Sequence, residues 1–266
     1  MSGYRLGLIG AGNMAEAIAR SAVEAGVLEA GQIVASDPSA ERLSVFEAMG
    51  VAVTQENRRV VGESEQVMLA IKPQVLEAIA GDLSGLSSDQ VLISIMAGLG
   101  TAKIAAVIGK PVRVVRVMPN TPVMVGKGMA GVCVGADTQA GDEDLAVRLF
   151  ESGGEVVRVD ESLMDAVTAV SGSGPAYLFY LAEAMIEAAG AVGIDADAER
   201  LVRQTIYGSA ELLVRSDESA GELRRRVTSP GGTTAAAIER LEASEVRAAV
   251  VRAIQAARDR GRELGA

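Results

Sequence analysis

In the first half of the chain, short apolar runs typical of buried strands alternate with longer stretches whose apolar residues recur at helical spacing. The predicted strand and helix pairs are 5–9 with 14–25, 33–36 with 40–49, 66–71 with 74–83, and 91–95 with 102–108. Further strands are predicted at 112–118, 131–135 and 155–159. This alternation favours one parallel sheet of about seven or eight strands with helices on both faces.

The pattern changes after Glu161, where β-branched runs give way to Ala, Leu, Glu and Arg at helical spacing. Breaks in the helical pattern are predicted at 190–194, 216–219 and 229–232. We therefore expect an α/β domain over residues 1–161 and an all-α domain over residues 162–266. Ala-rich helices make a thin bundle with many small faces, so we expect an oligomer.

The composition of the chain favours a globular protein and argues against nucleic-acid and membrane partners. Of 266 residues, 49% are apolar, which suffices for a core without metals or disulfides. The single Cys133 lies between two valines and reads as a buried hydrophobe. A formal charge of -10 and few aromatic residues argue against a nucleic-acid partner. Without a leader segment or a long apolar run, we expect no membrane association and a cytoplasmic location.

The chain contains no histidine. This absence removes His-based acid–base catalysis, Ser-His and Cys-His nucleophile pairs, and most transition-metal sites. We therefore expect no metal, and chemistry that comes from a cofactor or from carboxylates, hydroxyls, Lys and backbone amides.

A glycine-rich turn follows the first predicted strand and opens a helix, with the sequence Gly10-Ala11-Gly12-Asn13-Met14-Ala15. Gly10 permits the tight turn, Gly12 lets the backbone approach a pyrophosphate, and Ala15 allows close packing of helix on strand. The phosphates would lie at the helix N-terminus, where free amides and the helix dipole favour an anion. This pattern predicts a dinucleotide site.

Asp37 follows the second predicted strand, at the position where an acid accepts hydrogen bonds from the adenosine ribose. Its charge would repel a 2′-phosphate, which favours NADH slightly over NADPH. Ser36, Ser39, Arg42 and the pair at 58–59 lie in segments that could reach such a phosphate, so both cofactors stay open. Asp37 could instead be a helix cap or turn residue.

Three clusters end predicted strands, at the edge where open α/β sheets bind ligands. They are Ile71-Lys72-Pro73, Met96-Ala97-Gly98 and the run 118–122 that contains Asn120. A further cluster, Ser229-Pro230-Gly231-Gly232-Thr233-Thr234, precedes a predicted helix over 235–241. Its amides and hydroxyls suit a small carboxylate, although helix capping alone would also explain them.

These motifs, together with Ser171-Gly172-Ser173-Gly174-Pro175-Ala176-Tyr177, resemble those of the pyrroline-5-carboxylate reductase family over nearly the whole chain. The resemblance implies reduction of (S)-1-pyrroline-5-carboxylate to L-proline by NAD(P)H, the last step of proline biosynthesis. It also implies a Rossmann domain followed by an all-α dimerisation domain that interlocks with a partner, and a larger ring such as a decamer.

The resemblance also implies roles for individual residues. Ser229, Gly232 and Thr233 correspond to positions near the substrate carboxylate, and the Thr234 hydroxyl to one near the ring nitrogen, which makes Thr234 the catalytic candidate. Glu161 corresponds to a substrate position. The cofactor candidates are Gly10, Ala11, Gly12, Asn13, Met14, Ser36, Asp37, Asn57, Ile71, Lys72, Pro73, Ala97, Gly98 and Asn120.

Two residues depart from the pattern of the family, and three alternative functions stay open. Asp37 stands where relatives often carry a Ser, and Arg226 replaces a smaller polar residue. The alternatives are a reductase of another imine, a β-hydroxyacid dehydrogenase-like enzyme, and a non-catalytic nucleotide sensor. Alcohol chemistry in β-hydroxyacid dehydrogenases needs a Lys after a Gly-rich turn, whereas the last Lys of this chain is Lys127.

Overall fold

A computed structural model describes residues 3–265 of the chain. The residues up to Ser173, together with those from Ala257 onward, form one compact unit, and Gly174–Ala256 form a second. The sequence places a boundary after Glu161 instead, so the packing groups residues 162–173 and the end of the last helix with the α/β part.

The first unit is an α/β sandwich around an eight-stranded sheet in the order β3-β2-β1-β4-β5-β6-β7-β8. The strands are β1 Tyr4–Ile9, β2 Ile33–Ser36, β3 Ala52–Thr54, β4 Ser64–Leu69, β5 Val91–Ser94, β6 Arg113–Met118, β7 Gly128–Val134 and β8 Gly154–Arg158. The helices are α1 Asn13–Glu24, α2 Ala40–Ala48, α3 Asn57–Glu63, α4 Leu76–Leu83, α5 Thr101–Ile108, α6 Asp144–Glu151 and α7 Met164–Val167.

Helices cover both faces of the sheet, as the alternating pattern predicts. One apolar cluster joins the sheet to α1, α2 and α6 and includes Ile18, Phe46 and Phe150. The other joins it to α3, α4 and α5 and includes Val60 and Ile104. The predicted α/β class is confirmed.

The sheet is parallel, as the alternation in the first half of the chain predicts, except at one edge. β7 pairs with β6 in the antiparallel direction, and β8 is parallel to β7. Only a short 3-10 turn, Thr121–Val125, lies in the link between β6 and β7. A parallel crossover needs a dozen or more residues, so this link permits only the antiparallel arrangement.

The order of the strands reverses between β1 and β4, and this reversal sets the position of the predicted cofactor edge. β1 pairs with β2 on one side and with β4 on the other, both in parallel. The chain therefore runs outward in opposite directions from this point. In open α/β sheets, ligands bind at the carboxyl ends of the strands that flank such a switch.

The second unit is all helical, as predicted. It contains α8 Gly174–Ala191, α9 Ala198–Arg215, α10 Ala220–Arg226, α11 Thr233–Ala243 and the first part of α12 Val246–Gly265. Its buried apolar residues are Ala198 and Val202, and its exposed large ones include Phe179, Tyr180 and Tyr207. Apolar surface on this scale is typical of an association surface.

Within residues 3–265, no helix combines the length and the apolar character needed to cross a bilayer.

Candidate active site

Gly10 makes the turn that brings β1 to the start of α1. Its φ is +99°, and its N–H donates to the Ser36 carbonyl over 2.8 Å. A Cβ at Gly10 would lie 2.6 Å from the Ala70 carbonyl oxygen, closer than side chains are found. Both the backbone conformation and the close approach of Ala70, the residue after β4, therefore require glycine here.

Gly12 caps α1 in an extended conformation, with φ -72°, and no side chain caps this end of the helix. A Cβ built on Gly12 would meet nothing within 4 Å. Behind it, Ala15 is fully buried against the sheet. Gly12 therefore borders open space at the uncapped start of α1, where first-turn amides such as those of Asn13 and Met14 would suit a pyrophosphate.

Asp37 and Arg42 hold the two polar atoms of the Ala11 residue between them. The Ala11 N–H donates to Asp37 Oδ2 over 2.8 Å, and the Ala11 carbonyl accepts from Arg42 Nε over 2.7 Å. The other carboxylate oxygen of Asp37 accepts from the Ser39 N–H over 2.9 Å. The half-buried Asp37 thus stands directly beside the glycine-rich turn, at the predicted ribose position.

Ser36 and Asn57 form a polar link behind this edge. Ser36 is fully buried, and its hydroxyl donates to Asn57 Oδ1 over 2.8 Å. The Asn57 amide donates in turn to Asp82 Oδ2 over 3.1 Å. Of these two cofactor candidates, Asn57 is the more accessible, and the hydrogen bond from the buried Ser36 hydroxyl holds its side chain in place.

The strand-end clusters of β4 and β5 line the same edge. Ile71 and the exposed Lys72 follow β4, and Pro73 opens a 3-10 turn. After β5, Ala97 is exposed, whereas Gly98 is buried with φ +79°. A Cβ on Gly98 would lie 3.2 Å from Leu264 Cβ, so the last turn of α12 packs on this loop.

Asn120 is buried just beyond the end of β6, where its side chain bonds two other segments of the chain. Its side-chain amide donates to the carbonyl and hydroxyl oxygens of Ser171, each over 3.2 Å. Its Oδ1 accepts from the Met129 N–H over 2.9 Å. Ser171 lies in a π-helical turn, Thr168–Gly172, a distortion often found at functional sites. Asn120 therefore fixes the position of this turn.

Glu161 anchors the start of α5. Its Oε1 accepts from the Thr101 N–H over 2.6 Å, and its Oε2 accepts from the Thr101 hydroxyl over 2.8 Å. Arg116, with a side chain only 5% exposed, places Nη1 3.8 Å from Glu161 Oε1 and Nη2 3.7 Å from Asp165 Oδ1. These residues border a cavity of about 340 Å³ that Gly98 also lines.

Arg116 was not among the sequence candidates, although a charge in the apolar strand 114–117 is a visible signal. Its neighbour in register on β7 is Cys133, which is buried as predicted. Burial, reinforced by the charge of Glu161 and opposed by that of Arg116, raises the pKa of the Cys133 thiol to about 11. The thiol is therefore protonated at neutral pH and is a poor nucleophile.

The cluster at 229–234 lies in the second unit, where it forms the turn before α11. Gly231 has φ +71°, and the Gly232 N–H donates to the Ser229 carbonyl over 3.0 Å. Gly232 caps α11 without a side-chain hydrogen bond, so the amides of Thr233 and Thr234 begin the helix uncapped. Helix starts of this kind accept a carboxylate.

Comparisons with known proteins agree with both parts of this description. A family model for pyrroline-5-carboxylate reductase dimerisation matches residues 161–264. A model described as NADP oxidoreductase, coenzyme F420-dependent, matches residues 5–98.

Relatives match over almost the whole chain. The pyrroline-5-carboxylate reductase of Pseudomonas aeruginosa is 41% identical, with 99% of this chain and 98% of that protein covered. The solved structure of the Coxiella burnetii enzyme has a TM-score of 0.90 at 34% identity and covers 99% of both chains. The Plasmodium falciparum enzyme, solved with NADP bound, has a TM-score of 0.89 at 29% identity and covers 100% of both chains. The chain belongs to the pyrroline-5-carboxylate reductase family.

Proposed function

We propose that this protein reduces (S)-1-pyrroline-5-carboxylate to L-proline with NADH or NADPH, the last step of proline biosynthesis. The observation that carries this proposal is the match to reductases of this substrate along 99% of the chain. The open amide cradle at Gly12 supports the cofactor half, and the uncapped start of α11 supports the substrate half.

The residues present fit a dinucleotide. The space beside Gly12 is free of protein atoms within 4 Å of a Cβ, and the buried Ala15 leaves the helix start close to the sheet. The amides of Asn13 and Met14 would hold the pyrophosphate, and Asp37 the adenosine ribose. Lys72, Pro73 and Ala97 would line the nicotinamide end, with Gly10, Ile71, Gly98 and the buried Asn120 as supports.

A nicotinamide cofactor, when bound, supplies the hydride that reduces the imine carbon. The chain has to position the imine, exclude water and deliver one proton to the ring nitrogen. We assign the substrate carboxylate to the helix start formed by Ser229, Gly232 and Thr233, and orientation of the nitrogen to the Thr234 hydroxyl. A protonated cyclic imine accepts hydride readily, so a site without histidine is chemically sufficient.

We propose that residues 1–161 serve as the cofactor domain and 162–266 as the dimerisation and substrate domain, with Glu161 at the substrate position. The exposed apolar residues of the second unit support an interlocked homodimer, in which the helices of one protomer complete the site of its partner. Assembly into a ring such as a decamer and a cytoplasmic location stay predictions.

We further propose a slight preference for NADH, since the Asp37 carboxylate lies beside the glycine-rich turn, where it would bind the adenosine ribose and repel a 2′-phosphate. The test is an Asp37→Ser variant, with kcat/KM measured for both cofactors. The ratio of NADPH to NADH use should rise. An unchanged ratio would remove Asp37 as the determinant.

The reaction is tested with the purified full chain, pyrroline-5-carboxylate and either cofactor, following loss of the reduced nicotinamide and identifying the product by chromatography. Proline formation is expected. Turnover of β-hydroxyacids instead would support the dehydrogenase alternative. Nucleotide binding without turnover of any imine would support a sensor.

A further inference from the structure

Arg42 lies in the first turn of α2, five residues beyond Asp37, yet its guanidinium is directed to the glycine-rich turn. Nε donates to the Ala11 carbonyl over 2.7 Å, and Nη2 donates to Glu16 Oε2 over 2.8 Å. Only 28% of its side chain is exposed. The two hydrogen bonds use in-plane donors of a rigid, planar group, so together they fix its orientation.

Glu16 is the residue that completes this arrangement. It lies in the first turn of α1 and accepts from Arg42 through Oε2 and from Arg20 through Oε1. The hydrogen bond from Arg42 is the largest influence and lowers the pKa of Glu16 below its usual value, against the effect of burial. Glu16 is therefore ionised at neutral pH and neutralises the arginine next to the cofactor edge.

The two other arginines that the sequence offers for a 2′-phosphate are also engaged. Arg58 pairs with Asp82 at 3.0 Å, and Arg59 pairs with Glu63 at 3.1 Å. In dinucleotide-binding folds, an Arg near the end of the second strand accommodates the 2′-phosphate of NADP. Arg42 lies in a position to bind a 2′-phosphate, but its charge is already paired with the Glu16 carboxylate.

We propose that Glu16 is a specificity-determining residue that holds Arg42 as a clamp on the Ala11 carbonyl and so withholds it from a 2′-phosphate. This inference rests on the proposed dinucleotide site but not on the identity of the substrate. It adds a second determinant to Asp37. Asp37 repels the phosphate directly, whereas Glu16 removes the cation that would attract it.

The test compares the affinities of the full-length protein for NADH and NADPH, measured by calorimetric titration in the absence of substrate. Both nucleotides share the pyrophosphate, so the ratio of their Kd values cancels any general change at the helix start. Glu16→Ala should shift the ratio toward NADPH by about two- to fivefold, the size of one partly exposed ion pair. Glu16→Gln, which keeps the side-chain length, should give a smaller shift in the same direction.

Two control variants separate the mechanism from a change in net charge. Glu199→Ala removes an exposed carboxylate that pairs with Arg203 at 2.6 Å in α9, and it should leave the ratio unchanged. Adding Arg42→Gln to Glu16→Ala should abolish the shift, because Arg42 is then absent while Arg20, the other partner of Glu16, is released in both variants. In the double variant Glu16→Ala with Asp37→Ser, the shift in the Kd ratio should exceed the product of the two separate shifts.

The inference is overturned if Glu16→Ala leaves the ratio unchanged, if the shift persists without Arg42, or if Glu199→Ala produces it too. If the unaltered protein bound neither NADH nor NADPH, both the inference about Glu16 and the proposed dinucleotide site would be overturned. Failure to form proline, with the ratios as expected, would overturn only the assigned substrate.

Discussion

Gly10 and Gly12 lie two residues apart in one turn, yet the structure predicts opposite consequences for the same substitution. At Gly10, an alanine would adopt φ +99° and place its Cβ 2.6 Å from the Ala70 carbonyl oxygen. At Gly12, φ is -72° and the Cβ meets nothing within 4 Å. The fold therefore constrains the first position, whereas only the proposed dinucleotide constrains the second.

The two costs can be estimated separately. For Gly10→Ala, the left-handed conformation costs about 1–2 kcal/mol, and displacement of the backbone after β4 adds about 1–3 kcal/mol. The free energy of unfolding should therefore fall by roughly 2–5 kcal/mol. Gly12→Ala should change it by less than about 0.5 kcal/mol but raise the Kd for NADH and NADPH at least about tenfold, because the methyl group projects into the pyrophosphate path.

Thermal unfolding followed by circular dichroism, at one fixed protein concentration, measures the first effect, and nucleotide titration measures the second. The expected result is a lower Tm for Gly10→Ala alone and weaker nucleotide binding for Gly12→Ala at unchanged Tm. Equal losses of stability in both variants, or undiminished binding by Gly12→Ala, would refute the assignment of the open space to the pyrophosphate.

Three further predictions concern other parts of the molecule. Thr234→Ala should lower kcat/KM for pyrroline-5-carboxylate by about ten- to a hundredfold while Thr234→Ser retains most activity, and full activity of the alanine variant in steady-state assays would exclude the hydroxyl. Arg116→Met leaves two carboxylates without their buried cation and should destabilise the protein by about 1–3 kcal/mol in denaturant unfolding, so an unaltered midpoint would argue against the ion pairs. Burial acts to raise the pKa of Asp142, but hydrogen bonds from Arg113 and the Gln139 N–H outweigh it and lower the pKa. The stabilisation is thus present above the unfolded-state pKa of about 3.9 and is lost as the pH falls through the lower folded value. The stability deficit of Asp142→Asn at neutral pH should therefore disappear in acid, and a deficit that does not change with pH would contradict this.

Local periodicity was sufficient to predict the main α/β elements and the all-helical second part. It missed β3, which has only three residues, and α3, which has seven, because so short a run carries less than two periods of signal. The helix α6, Asp144–Glu151, was missed as well, although Leu145, Leu149 and Phe150 face the core at helical spacing. Strand direction at the β6–β7 edge depended on the length of a link rather than on either strand.

The turns that carry the candidate residues were predictable where one short segment forms them, as at Gly10 and Gly231. The candidate site was not predictable where the contact joins distant segments. Arg42 reaches Ala11 across 31 positions, and Glu161 reaches Thr101 across 60. No pattern along the chain indicates such pairs, since they depend on how two separate loops meet at the edge of the sheet.

Transfer of an isotope tests the central proposal most directly. The full-length protein is supplied with pyrroline-5-carboxylate and with NADH or NADPH that carries deuterium at both positions of nicotinamide C4. Direct hydride delivery to the imine carbon predicts L-proline with deuterium at its carbon 5, detected by mass spectrometry and NMR. The absence of proline, or proline without the label, would contradict the account.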